Sequence, residues 1–371
     1  MGRTGPTGPQ GNPGGPVGPT GSTGPQGEVG PPGPNIVYSP DHLPLDFTWV
    51  DTTTLRIRRG RYYRGGHKWR GKYQDLTRIV NYWDIPADLT VNVFGTYSEG
   101  DTSGLLGGAK AVSTWYSVFL VGSTQADVLV LPFIRVKSAS VNAGRTTVAL
   151  GKNDNSITSE TSLLLSNGLW NNYRLLKVSD DAADGTVLII ENSINGTPDD
   201  TITVFGDQVT AGANLVAGNW LQMLPKTGTD CCYLGVIRVY VDGSLHYFAK
   251  SGGDYVLPTT WISGNLSASP GNTFIGTAVP PIAVEASLTV KASITSPTSG
   301  QYAVCDLFAG VTGSLLSAQL YSPNTDATQS VTWNLSSVCQ IRNRFSKFTQ
   351  PLNTYEPATT GTFLVGGFRE L

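Results

Sequence analysis

The chain has 371 residues, with 25 Lys and Arg against 27 Asp and Glu. A net charge of -2 gives no global reason to expect nucleic acid or an anionic membrane as partner. Charged residues reach only 14% and methionine occurs twice, while Gly, Ser, Thr, Asn and Val abound, a texture of β-rich proteins rather than helical enzymes. No apolar run attains the ~18 to 20 residues of a membrane helix, so membrane insertion is not expected.

Glycine recurs at every third place from Gly2 to Gly33, with proline crowding the positions between. Gly2, Gly5, Gly8, Gly11 and Gly14 keep one phase; Gly15, Gly18, Gly21, Gly24, Gly27, Gly30 and Gly33 keep another, broken at the Gly14-Gly15 pair. Three polyproline II chains wind together only if every third residue, facing the crowded axis, lacks a side chain. Residues 1–34 are therefore expected to form a collagen triple-helix stalk, with the chain as one third of a homotrimer. Met1 leads straight into the triplets without a hydrophobic segment, so no secretory signal is expected. Residues 35–50 follow as a neck, where Ile36, Val37 and Tyr38 are placed to close the point at which three chains splay.

Beyond the neck, period-two alternation dominates. LRIRR, LTVNVFGTY, TWYSVFLVG, ADVLVLPFIRV, GTVLIIE, DTITVF, YLGVIRVYV, AVEASLTVKASI, YAVCDLFAG, QSVTWNLSS and TGTFLVGGF are short, rich in β-branched and aromatic residues, and bounded by turn formers. They predict an all-β head of β-sandwich or jelly-roll type. Asp242-Gly243, within Val236 to Phe248, is the clearest hairpin turn; Asp184-Gly185 and Asn195-Gly196 are further candidates. The polar stretch from Ser263 to Pro281 divides a large β domain, 51–262, from a smaller C-terminal one, 282–371, or from the final strands of the same sandwich. So few triplets, rich in threonine, glutamine and valine, should not hold three chains together alone. The head is therefore expected to trimerise through an apolar interface.

The sharpest charge anomaly is LRIRRGRYYRGGHKWRGKYQDLTR, Leu55 to Arg78. It gathers Arg56, Arg58, Arg59, Arg61, Arg64, Lys68, Arg70 and Lys72 around Trp69 and three tyrosines, with Asp75 the single acid. Arginine interleaved with aromatic rings suits phosphate, sulfate or carboxylate recognition with stacking on a sugar. Local carboxylate partners, or an acidic neighbour in a larger assembly, would use the same charges. Trp170 and Tyr173, set among asparagines in NGLWNNYRLL, are the preferred exposed aromatic candidates for a carbohydrate platform, a role other aromatic residues of the head could share with core packing. No G-x-S-x-G, H-E-x-x-H or P-loop occurs, and Asp180-Asp181 and Asp199-Asp200 sit beside turn signals, so no catalytic residue is assigned. His42, His67 and His246 are scattered, and Cys231, Cys232, Cys305 and Cys339 show no zinc spacing. No metal or cofactor is expected, and free thiols fit folding in a reducing cytoplasm.

A GPTGPQ-type collagen stretch joined to a β head resembles the collagen-like trimeric fibre and appendage proteins of tailed bacteriophages and prophages. TWYSVFLVG, YLGVIRVYVDGSLHYF and the closing TGTFLVGGFREL carry the resemblance within the head; the stretch from Val136 to Asp230 departs from it. The resemblance implies a virion fibre, made in the host cytoplasm and released by lysis, with a head that contacts host surface glycan or lipopolysaccharide. A structural appendage docking on other virion proteins at capsid, collar or tail is the alternative it leaves.

Overall fold

Alternating burial follows the alternating sequence: Leu55 and Ile57 are buried, while Arg56 and Arg58 are exposed. The computed structural model describes residues 8, 47–63, 82–99, 103–106, 110–112, 114–122, 126–151, 166–178, 185–196, 199–240, 242–257, 263–266, 271–274, 279–294, 302–309, 315–321, 331–340, 347–350, 352–354 and 359–370. Apart from residue 8 they belong to one unit, Pro44–Leu371. Strand is the only regular structure among them.

In chain order the strands are β1 (Phe47–Trp49), β2 (Thr54–Ile57), β3 (Gly60–Tyr63), β4 (Tyr82–Ile85), β5 (Leu89–Asn92), β6 (Gly104–Leu105), β7 (Trp115–Val121) and β8 (Asp127–Asn142). There follow β9 (Arg145–Gly151), β10 (Arg174–Lys177), β11 (Val187–Ile194), β12 (Thr201–Phe205), β13 (Trp220–Leu224), β14 (Cys231–Arg238), β15 (Ala249–Ser251) and β16 (Asp254–Val256). The last group is β17 (Ser263–Leu266), β18 (Gly271–Phe274), β19 (Ala283–Ile294), β20 (Tyr302–Ala309), β21 (Leu315–Tyr321), β22 (Val331–Gln340), β23 (Lys347–Gln350), β24 (Leu352–Thr354) and β25 (Thr359–Glu370).

The central feature is a ring. Pairings run β8–β9–β12–β11–β10–β13 and return from β13 to β8, closing a six-stranded antiparallel barrel. Closure leaves no unpaired edge in the ring. Strand β8 makes it possible by changing partners along its length. Val128 to Pro132 pair with β7, Phe133 to Arg135 with β13, and Arg135 to Asn142 with β9, with a register shift between Val136 and Ser138. Register places Ile134, Val136, Val148, Leu150, Ile202 and Val204 on the inward side, all buried. Leu175 and Met223 complete the same layer. Lys177 shares their inward phase and is fully buried; its Nζ donates to the carbonyls of Ala213 at 2.5 Å and Asn214 at 3.1 Å. Those bonds satisfy an ammonium group that would otherwise be costly to remove from water.

Beyond the barrel, β7 pairs with β8 on one side and β14 on the other, and all seven of its residues are buried. Gln222 of the barrel wall donates to Ser117 Oγ of β7 at 2.8 Å. The order β15-β16-β25-β19-β22, with β17 on β25, makes a second large sheet. It spans the stretch from Ser263 to Pro281, since β15 and β16 precede that stretch and β19, β22 and β25 follow it. Strands β18-β23-β20-β21 with β24 form a further sheet, and β1-β2-β5 and β3-β4 form two small ones.

This architecture corrects the expected fold. In place of a β-sandwich or jelly-roll head on a collagen triple-helix stalk, the described residues form an all-β unit organised around a closed barrel, and no collagen triple helix is shown among them. Strand number and spacing cannot distinguish the two, because the difference lies in whether β13 returns to β8. The stalk glycines lie outside the described residues except Gly8, which is exposed and where a Cβ would meet nothing within 4 Å. The neck lies outside them up to residue 46.

Of the expected turns, Gly243 does adopt a positive φ, 81°, and Tyr240 N–H donates to Ser244 O across it. A two-residue hairpin turn was not among the expectations: Asn142 pairs with Arg145 around Ala143 (φ 49°) and Gly144 (φ 74°). Two successive positive φ values match the right-handed twist of the flanking strands, but a left-handed alanine costs about 1 kcal/mol. Ala143→Asn should therefore stabilise the chain by about 0.5–1 kcal/mol, read as a higher urea midpoint with unchanged slope. An unchanged or lower midpoint would contradict the turn geometry.

Candidate functional site

The basic segment begins on β2, the middle strand of β1-β2-β5. Its inward residues Leu55 and Ile57 are fully buried, as is Phe47 of β1 opposite Ile57. Alternation then forces Arg56 and Arg58 outward, and the chain turns through the exposed Arg59 into β3. The same logic governs the β3-β4 ribbon. Tyr62 and Trp83 are paired across it and buried, while Arg61 and Asp84, also paired, stand in solvent. Tyr62 donates its hydroxyl to Arg58 O at 2.5 Å, tying the end of β2 to the ribbon.

Four arginines thus occupy exposed positions within six residues. Arg61 pairs with Asp84, Nε to Oδ1 at 3.0 Å, and Asp88 accepts the backbone N–H of Arg59 at 2.9 Å. The Arg61–Asp84 pair is 42% and 62% exposed, so it contributes only ~0–1 kcal/mol and can exchange one carboxylate for another. Among the described residues, Arg56, Arg58, Arg59 and Arg61 therefore stand exposed along β2, the following bend and β3, beside Asp84 and Asp88, and exposed guanidinium groups suit anions. Asp84 and Asp88 were not part of the sequence expectation, because they reach the arginines only through strand pairing and a loop. Arg64, Lys68, Trp69, Arg70 and Lys72 lie outside the described residues.

Trp170 and Tyr173 are corrected from exposed platform to core. They are 1% and 4% exposed, and burial raises the Tyr173 hydroxyl well above the ordinary tyrosine range. The asparagines around them serve the loop rather than solvent: Asn171 Oδ1 accepts from Ser193 Oγ, and Ser193 Oγ accepts the Trp170 N–H at 3.0 Å. The loop folds back onto β11, carrying both rings inward. Trp115, Tyr116, Trp220 and Tyr255 are buried too, whereas Tyr240 and Tyr247 remain exposed.

A second cluster lies where β7, β14 and β25 meet. β7 and β14 pair along their length, and β25 brings Phe368 edge-on to Trp115 at 5.5 Å and stacks it on Tyr255 at 4.4 Å. The Tyr255 hydroxyl accepts the Val236 N–H at 2.9 Å and crosses Gly235, where a Cβ would stand 2.2 Å from that oxygen. Glu370, two residues after Phe368 and on the same inward phase, accepts a hydrogen bond from Tyr233 at 3.0 Å. Desolvation raises its carboxyl to about 7, although the Lys250 ammonium and the Tyr233 and Tyr255 hydroxyls oppose the rise. A charged residue in the core phase of an apolar strand, Phe368-Arg369-Glu370, was the sequence signal for it.

Glu370 makes stability depend on pH. Its folded value lies above the ordinary 4.5, so between those values the folded chain holds a proton that the unfolded chain releases. The contribution of Glu370 to stability is therefore greatest below about 4.5, falls as pH rises to about 7 and levels off above it, by a total of the order of 3 kcal/mol. In Glu370→Gln, chemical denaturation across this range should lose that component of the slope; an unaltered slope would remove Glu370 as its source.

No known family model matches the chain, and neither a curated protein nor a solved structure does.

Proposed function

We propose that the chain is a subunit of a homotrimeric virion fibre whose β head contacts the host surface by binding acidic polysaccharide. The observation that carries this reading is that Arg56, Arg58, Arg59 and Arg61 are exposed within six residues, while Leu55, Ile57 and Tyr62 between them are buried. Guanidinium groups match carboxylate and sulfate in charge and in planar two-point geometry, and a row of them suits a repeating anionic chain better than a single small anion. Three copies of these arginines in one assembly would multiply weak contacts to a polymer. Cys231 and Cys232 are buried, and burial holds the Cys232 thiol up at about 12, a protonated state that suits folding in a reducing host cytoplasm.

Binding of the full chain to polygalacturonate, with neutral galactan as comparison, tests the reading. Affinity for the acidic polymer should fall about tenfold or more as ionic strength rises from roughly 0.05 to 0.5 M, as expected for exposed charges. Arg56→Glu/Arg58→Glu/Arg59→Glu should lose binding by a similar factor with the fold intact. Binding by this variant at full strength would contradict the proposal and shift the reading to an appendage that docks on other virion proteins.

A further inference from the structure

The barrel is covered unevenly. On β10 and β13 even the outward residues Arg174, Leu176, Gln222 and Leu224 are buried. On β9, β12 and β11 the outer wall is open, and register defines what it presents. Phe205 pairs with Arg145, Thr203 with Thr147 and Thr201 with Ala149; on the other side Thr203 pairs with Asn192 and Thr201 with Ile194. Ile189 precedes Ile190, the partner of Val204, and so shares the outer phase of Phe205. The wall is thus a ladder of threonines framed by Phe205, Ile189 and Ile194, which are 59%, 43% and 42% exposed.

Charge distinguishes this surface from the arginine row. Arg145 donates to Glu191 at 2.6 Å and lies over the Phe205 ring at 4.9 Å, so the one cation of the ladder is neutralised within its own chain. A surface that meets a second copy of itself must avoid like charge, and interface centres are depleted of charge and enriched in aromatic residues. The open wall meets both conditions. The arginine row fails the first, since two copies of it would repel.

We infer that the outer wall of β9, β12 and β11 is the surface on which a second copy of this chain docks, with Phe205 as its anchor. The inference rests on the homotrimer of the proposed function and gives it a location. It leaves the arginine rows free to face outward for an anionic polymer.

Light scattering of the full chain should give three times the 39.4 kDa chain mass. Phe205→Asp/Ile189→Asp, at two exposed positions, should reduce this to the single-chain mass while leaving circular dichroism unchanged. A photo-crosslinking residue placed at Thr203 tests the same contact without disturbing the apolar anchor and should join copies on a denaturing gel. A wild-type trimer that persists in the double variant, without crosslinks from position 203, overturns this wall as the interface and leaves the homotrimer standing. A single-chain mass for the wild type overturns both. Polysaccharide binding by the arginine variants is read separately, so its failure is distinguishable from either result.

Discussion

Strand β8 is obliged to satisfy four neighbours, β7 and the short parallel β6 along its first half and then β13 and β9, over sixteen residues, and the arrangement of the head depends on that relay. Its first half belongs with β6, β7 and β14. Its second half belongs to the ring. A strand with a free edge in either half would leave backbone donors and acceptors to be met by solvent or another chain. The relay instead passes each edge to the next partner, with the register shift between Val136 and Ser138 marking where the strand enters its pairing with β9. The stretch from Val136 to Asp230 supplies all of β9 to β13 and most of the barrel half of β8.

The surfaces follow from what the core takes. Phe47, Leu55 and Ile57 claim one side of the β1-β2-β5 sheet, so Arg56 and Arg58 have nowhere to go but solvent. On the barrel, one side is covered by neighbouring structure and the opposite wall is left with threonine, isoleucine and phenylalanine. Buried Lys177 is met by two carbonyls, and one oxygen of the buried Glu370 carboxyl by the Tyr233 hydroxyl. The charged surface and the uncharged one are therefore products of the same packing, and they suit different partners.

How much could be read from the sequence depended on whether a strand had one buried face or two. LRIRR, GTVLIIE and DTITVF alternate and coincide with β2, β11 and β12, whose burial alternates in step. Strands β10 and β13, Arg-Leu-Leu-Lys and Trp-Leu-Gln-Met-Leu, are buried at every position and show no period to detect. Since β13 closes the barrel, the signal that would have separated barrel from sandwich was missing where it was needed. Trp170 misled for a related reason: asparagines imply an exposed loop, but these bond inward to β11 and its neighbouring residues. The arginine row was legible because charge at alternate positions of a β-branched run has a single stable placement.

Amide hydrogen exchange under native conditions tests ring closure most directly, because a strand paired on both edges opens only with the whole unit whereas an edge strand opens alone. The account predicts that amides of Trp220 to Leu224 in β13 are as strongly protected as those of β9 and β12, and lose protection together with them. Fast exchange of β13 beside a protected β9 and β12 would mean an open sheet, and would contradict the barrel.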